Sequence, residues 1–80
     1  MKINFIAVSG KIYDDNMEIY TKSGKRYYIY TVYINNKTWI KLIYKNRIVI
    51  SDQENVVLFG KIINLYGTLG ILLVEYKKLY

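Results

Sequence analysis

Hydrophobic and aromatic residues alternate with polar residues along most of this 80-residue chain. The alternation has the period of two that is typical of β-strands, and no segment shows the 3.6-residue period of an amphipathic helix. β-branched and aromatic residues dominate the alternating segments, as they do in strands. The pattern predicts five strands, at Ile3–Tyr13, Lys25–Ile34, Lys37–Lys45, Val56–Leu65 and Leu69–Tyr80.

Short polar segments predict the connections between these strands. Residues 14–16 predict a turn, after which residues 16–24 form an arm that leads to strand two. Asn35 and Asn36 predict a tight hairpin, because asparagine tolerates the left-handed backbone that two-residue turns require. Residues 46–55 have room for one turn or a short strand, in place of a longer helix.

Glycines interrupt two of the predicted strands. Gly10 predicts a bulge where a long first strand bends, and Gly60 lies inside strand four. Five short strands with two internal glycines favour a small closed or partly open barrel over a sandwich, which has more strands. The chain is therefore predicted to be all-β, with residues 1–80 forming one domain.

Residue parity predicts which side chains of strands two and three face the core, because successive strand residues point to opposite faces. The even-numbered residues predict the core face: Tyr28, Tyr30, Val32, Ile34, Ile40, Leu42 and Tyr44. The odd-numbered residues predict the outer face: Tyr27, Ile29, Thr31, Tyr33, Trp39, Lys41, Ile43 and Lys45.

The charge and the aromatic content give this outer face a predicted role. Twelve Lys and Arg residues against six Asp and Glu residues give a net charge of +6, which attracts polyanions. Ten Tyr and one Trp accompany the cations, and bases of a single strand stack on such rings while amines contact the phosphates. The predicted nucleic-acid-binding residues are Trp39, Tyr27, Tyr33, Lys41 and Lys45, with Lys22, Lys25 and Arg26 at the edge.

The absent residue types exclude several kinds of chemistry. The chain has no Cys and no His, which excludes disulfides, thiolate nucleophiles, imidazole bases and the usual zinc ligands, and no cofactor is expected. Asp14, Asp15 and Glu18 are interpreted as turn-forming charges, with a magnesium-dependent nuclease site as the alternative. We therefore expect a protein that is not an enzyme.

The apolar segments are too short for a membrane span, which needs about 18 consecutive apolar residues. The apolar stretch near the N-terminus is interrupted by Asn4 and lacks the pattern of a signal peptide. We expect a cytoplasmic protein without a membrane partner, in the host cytoplasm if the chain is viral.

Three segments and one aromatic residue resemble the first three strands of bacterial-type single-stranded DNA-binding proteins. The segments are Ile6–Asp15, Glu18–Gly24 and Tyr30–Asn35, and Trp39 follows them. In that family a Ser-Gly turn precedes strand two, and a tryptophan early in strand three stacks on DNA. Trp39 lies at that place, whereas the chain has no room for the helix of that family.

Two other segments resemble the single-stranded DNA-binding proteins of filamentous bacteriophages, which are OB-fold dimers of nearly this length. Gly24–Tyr27 is similar to their loop-to-strand segment, in which a tyrosine contacts DNA. Leu65–Leu79 is similar to their C-terminal hairpin. Lys22 and Leu69 match positions where the phage proteins carry an arginine and an aromatic contact, so the match at Leu69 lacks the ring.

Together these resemblances imply a five-stranded OB-fold that binds single-stranded DNA with little sequence preference, as in replication, with RNA as the alternative ligand. The other hypothesis is an SH3-like or OB-like β-barrel module for protein interaction or oligomerisation. Both hypotheses account for five short strands with exposed tyrosines.

The apolar content predicts that the protein forms a homodimer or a higher even oligomer. Apolar residues make up 52% of the chain, which is more than a lone small barrel needs to bury. Leu65, Leu69, Ile71 and Leu73 are the residues expected at the interface. Sedimentation at micromolar concentration is expected to give at least twice the monomer mass, and a monomer would contradict the prediction.

Overall fold

A computed structural model describes residues 4–49 and 55–79 of the chain. Those residues form five strands without a helix: β1 (Phe5–Tyr20), β2 (Arg26–Tyr33), β3 (Trp39–Tyr44), β4 (Asn55–Leu65) and β5 (Thr68–Lys78). The strands close into a barrel in the order β1-β2-β3-β5-β4, and β3 and β5 are the parallel pair. This topology is that of an OB-fold-like barrel, which confirms the predicted fold class.

β1 closes the barrel because it pairs with two strands in succession. Its first half, Phe5–Lys11, is antiparallel to β4, and its second half, Lys11–Tyr20, is antiparallel to β2. Gly10 lies where the partner changes, and a Cβ atom there would overlap the carbonyl oxygen of Tyr33. The predicted bulge at Gly10 is wrong, since the register is continuous there; the glycine instead allows two strands to approach closely.

The turn predicted at residues 14–16 is also wrong. The β1–β2 register shifts between Asp14 and Met17, so the polar residues form a bulge inside one long strand. Asn16 has a φ of 56°, and its backbone N–H donates to the Asp14 carboxylate at 2.7 Å. Asparagine therefore adopts the left-handed backbone at the bulge. Asn35 and Asn36, which were predicted to adopt it, have negative φ.

The core fills the barrel interior, as parity predicts. Tyr30, Val32 and Leu42 are fully buried, and Tyr28, Ile40 and Tyr44 pack against them. Ile34 is the exception, because it follows the end of β2 and is 41% exposed. The buried residues of the core are Ile12, Tyr30, Val32, Leu42, Ile48, Val56, Leu58, Ile71 and Leu73.

Residues 45–49 close one end of the barrel without a helix. Ile48 is buried in the core, and its backbone N–H donates to the Tyr30 hydroxyl at 2.8 Å. Arg47 lies over the Tyr28 ring and pairs with Asp14. The predicted absence of a long helix therefore holds for residues 46–49, while residues 50–54 and the predicted strand ends at Ile3 and Tyr80 lie outside the described residues.

The Tyr30 hydroxyl makes the stability of the barrel depend on pH. Burial raises the pKa of the Tyr30 phenol, and the hydrogen bond from Ile48 offsets part of that rise. The unfolded chain ionises this phenol above a pH of about 10. Tyr30 therefore contributes its full stability below that pH and loses it as the pH rises through the higher folded pKa.

We predict that Tyr30→Phe lowers the free energy of unfolding at pH 7 by about 1–3 kcal/mol, because the Ile48 N–H is left buried without an acceptor. Above a pH of about 10 the difference from the parent protein narrows, since phenylalanine has no proton to lose. Urea unfolding at both pH values measures the two effects. Tyr66→Phe is the control, because Tyr66 is 79% exposed. A difference in unfolding free energy between Tyr30→Phe and the parent protein that stays constant with pH would contradict a raised pKa of Tyr30.

Candidate nucleic-acid interface

The outer surface of β2 and β3 carries the residues that the sequence analysis selected, but only its two ends are exposed. At one end Trp39 is 55% and Tyr33 is 41% exposed. In the middle Ile29, Thr31 and Ile43 are buried, although they point away from the barrel interior. The predicted continuous surface is therefore divided by a buried centre.

A second apolar cluster accounts for this buried centre. The end of the β4–β5 hairpin places Leu65 against Ile29 and Ile43, and Ile19, Tyr27, Ile63 and Leu72 pack around them. Gly70 makes the approach possible, because a Cβ atom there would lie 3.1 Å from the Cβ of Leu65. Three of the four residues expected at a subunit interface, Leu65, Ile71 and Leu73, are buried within the single chain, and Leu69 is exposed.

At the exposed end, three neighbouring strands each carry one aromatic residue. Tyr33 of β2 is the register partner of Trp39 of β3. Tyr13 of β1 packs edge-on against Tyr33, with ring centroids 5.1 Å apart and planes at 81°. We call Tyr13, Tyr33 and Trp39 the aromatic row.

The hairpin loop next to the aromatic row is held by its own hydrogen bonds. The Ile34 N–H donates to the Thr38 carbonyl at 2.9 Å. The Asn35 side-chain oxygen accepts the backbone N–H groups of Lys37 and Thr38, each at 2.9 Å. Asn35 thus shapes the loop through its side chain, as asparagine does in Asx turns. The loop keeps Tyr33 and Trp39 on one hairpin.

Lys41 was predicted to contact a phosphate, but its ammonium group already has partners within the chain. Its ammonium group contacts the Asp15 carboxylate at 2.5 Å and the Thr31 hydroxyl at 2.7 Å, and it lies 5.5 Å from the centroid of the Trp39 ring. The Thr31 hydroxyl donates to the other Asp15 oxygen at 2.7 Å. The Asp15 side chain is only 13% exposed. Lys41, Asp15 and Thr31 therefore form a closed, neutral network beside Trp39.

The other end of the outer surface contains Tyr27 and Lys45. Tyr27 is half-buried against the second apolar cluster, so little of its ring is open to a base. Lys45 is exposed, and together with Tyr27, Tyr44 and Lys61 it lines a recess of about 270 Å³. This end therefore offers amines, but its tyrosine is mainly a packing residue.

The loop between β1 and β2 presents the remaining predicted residues. Lys22 and Lys25 are exposed on a turn closed by Gly24, whose φ is 86°, and neither forms an ion pair within the described residues. Arg26 is also exposed, but it pairs with Glu18 at 3.9 Å and lies 5.3 Å from the centroid of the Tyr28 ring. The two lysines are thus the more available cations of this loop.

The three carboxylates considered for a nuclease site face different cations. Asp14 pairs with Arg47, Asp15 with Lys41 and Glu18 with Arg26. The bulge in β1 lies between Asp14 and Glu18. Among the described residues, no group of three or more acidic residues is placed to hold a metal ion.

Tyr66 and Tyr13 were not among the residues that the sequence predicted for the interface. Tyr66 is 79% exposed at the tip of the β4–β5 hairpin, where Tyr66 and Gly67 have φ values of 51° and 83°. These positive values are those of a type I′ turn, and the Tyr-Gly pair was a usable signal for an exposed tip. Tyr13 gave no local signal, because its contact with Tyr33 depends on the pairing of β1 with β2.

A groove of about 570 Å³ runs between β1 and the β4–β5 tip, across the buried centre. Met17, Ile29, Leu65 and Tyr66 give it apolar walls. Asp15 and Glu18 also line it, while its one cation, Lys41, is already paired. The groove is therefore unfavourable for a phosphate group.

No protein-family model, curated protein or solved structure matches this chain. The resemblance to single-stranded DNA-binding proteins therefore stays a prediction. The part of the chain that the structure describes also contains no helix of the length and apolarity that crossing a membrane requires.

The neutral network predicts a structural role for Lys41. We expect Lys41→Met to lower the free energy of unfolding by about 1.5–3 kcal/mol, the range for hydrogen bonds to charged groups, because Asp15 loses its counter-charge. Asp15→Asn in the same chain should recover part of this loss. Lys45→Met is the matched control on the same face, and we expect it to change stability by less than about 0.5 kcal/mol. Equal effects of the two lysine substitutions, measured by urea unfolding, would exclude the network.

Proposed function

We propose that this protein binds single-stranded DNA with little sequence preference, by stacking bases on its aromatic row and contacting phosphates with lysines. The observation that carries the proposal is Trp39, a tryptophan more than half exposed on a β-strand and directly opposite an exposed tyrosine, Tyr33. An exposed indole on a polar surface indicates a ligand or a partner. Bases of a single strand offer free faces for stacking, whereas a duplex hides them.

The location of the aromatic row supports this proposal. In OB-folds the face of strands two and three, together with the β1–β2 and β4–β5 loops, is the surface that binds oligonucleotides. Trp39 and Tyr33 lie on that face, Lys22 and Lys25 in the first loop, and Tyr66 at the tip of the second. Replication, packaging and transfer of single strands are the processes that use such a protein.

The lysines on the β2–β3 face and in the β1–β2 loop provide the phosphate contacts in this proposal. The lysines that form no ion pair within the described residues are Lys11, Lys22, Lys25, Lys37, Lys45, Lys61 and Lys77. Each amine that neutralises one phosphate of a single strand releases counterions, so affinity falls with salt. Lys45, Lys22 and Lys25 therefore take the role that the sequence analysis also gave to Lys41.

The apolar groove favours a second candidate function, a module that binds a protein segment. Met17 is 58% exposed on its wall, and Leu65 and Ile29 form an apolar floor. Such a segment would contact the groove and leave the aromatic row unchanged. Quenching of Trp39 fluorescence by oligo(dT) would therefore favour the nucleic-acid function. Loss of binding to a protein partner in the Met17→Glu variant, without quenching by oligo(dT), would favour the protein-binding module.

The decisive experiment is a titration of the protein with oligo(dT) while the fluorescence of Trp39, its one tryptophan, is measured. We expect strong quenching that weakens as salt is raised. Trp39→Ala should cost about 1–3 kcal/mol of binding free energy, measured by the anisotropy of a labelled oligonucleotide. Phe5→Ala is the matched control, because Phe5 is 51% exposed but lies on the β1–β4 side of the barrel. No quenching at low salt would overturn the proposal.

A further inference from the structure

A recess of about 350 Å³ lies beside the aromatic row, at the fork where β1 passes from β4 to β2. Lys11 is the register partner of both Tyr33 at the end of β2 and Asn55 at the start of β4. The residues that line this fork recess are Gly10, Lys11, Tyr13, Tyr33, Ile34, Asn35, Asn36 and Asn55.

We propose that the fork recess holds one nucleotide of the bound strand. This inference deepens the proposed function and rests on it. The base lies against the rings of Tyr13 and Tyr33, its phosphate contacts Lys11, and the side-chain amides of Asn36 and Asn55 contact its edge. The strand then continues from Trp39 across Tyr33 to β1, along the aromatic row.

The charge of the fork recess decides between it and the apolar groove. Lys11 is its one charged lining residue, and it forms no ion pair within the described residues. In the apolar groove Lys41 and Asp15 neutralise each other, which leaves Glu18 as the remaining carboxylate. A phosphodiester is therefore attracted to the fork recess and repelled by the groove.

The polar groups of the fork recess also match a nucleotide. Asn35 uses its side-chain oxygen to hold the hairpin loop, but Asn36 and Asn55 make no side-chain hydrogen bond within the described residues. An amide has donors and an acceptor, so it can pair with the edge of an unstacked base. Gly10 has no side chain to fill this space, and a Cβ atom there would overlap the backbone carbonyl oxygen of Tyr33.

Substitutions at Lys11 test the phosphate contact. With oligo(dT), Lys11→Gln should weaken binding and lower the salt slope of log K by about 0.7, the value for one phosphate of a single strand. Lys77→Gln is the matched control, because it removes the same charge from an exposed strand position of β5. It should leave the slope unchanged. Equal slopes for the two variants would overturn the fork recess as a site.

Substitutions that place a positive or a negative charge at Asn36 give a second test, which removes no contact that stabilises the fold. Asn36 is exposed in the hairpin loop, so substitutions there keep the barrel intact. Asn36→Arg should tighten binding and steepen the salt slope by about 0.7, and Asn36→Glu should weaken binding. Unchanged affinity for both variants would overturn the inference.

The parent protein separates failure of this inference from failure of the proposed function. If oligo(dT) quenches Trp39 in the parent protein, and the Lys11 and Asn36 variants bind like the parent, the fork recess is excluded and the proposed function stands. If oligo(dT) does not bind the parent protein at low salt, both are overturned. If the parent binds and the variants respond as expected, both are supported.

Discussion

The architecture depends on one strand, β1, which is long enough to pair with β4 and then with β2. A five-stranded sheet closes into a barrel only if one strand pairs with a neighbour along each of its two edges. An open edge would leave backbone groups unpaired. Two local features let β1 do this. Gly10 permits the close approach of Tyr33, and the bulge at residues 14–17 bends the strand around the barrel.

The same strand also determines where charge lies on the outer surface. The bulge turns the Asp15 carboxylate towards the outer face, where it meets Thr31 and Lys41. The centre of that face is therefore neutral as well as buried. Positive charge remains at the ends of the face and in the loops, so the net charge of +6 is less informative than the positions of its unpaired lysines. An anionic strand that crosses the barrel would contact the surface mainly through these ends.

The sequence was sufficient to predict the features that depend on local pattern. The period-two alternation placed Tyr30 and Leu42 inside and Trp39 and Tyr33 outside, because a strand places successive side chains on opposite faces. It failed at residues 14–16, since a polar cluster with a left-handed asparagine is typical of both turns and bulges.

Other features of the site depend on contacts between residues that are distant in the sequence. Lys41 and Asp15 are 26 residues apart, and only the pairing of β1 with β2 and of β2 with β3 brings them together. Ile29 and Ile43 are covered by the end of the β4–β5 hairpin. Strand parity assigns a face, but it does not show whether another element covers that face. The outer face predicted from parity is therefore covered in its middle, and parity does not show the contact between Tyr13 and Tyr33.

The contacts that close the barrel and the aromatic row are at opposite ends of the β2–β3 hairpin. Ile48 and Arg47 close the end where β3 finishes, whereas Trp39 and Tyr33 lie next to the hairpin loop. The closing contact of Ile48 with Tyr30 is buried, and the hairpin loop is held by the separate hydrogen bonds of Asn35. Residues in distant sites without shared partners affect free energy almost independently. The closing contacts and stacking on the aromatic row are thus separable in this small barrel, whereas the proposed phosphate contacts of Lys22, Lys25 and Lys45 lie at the closing end.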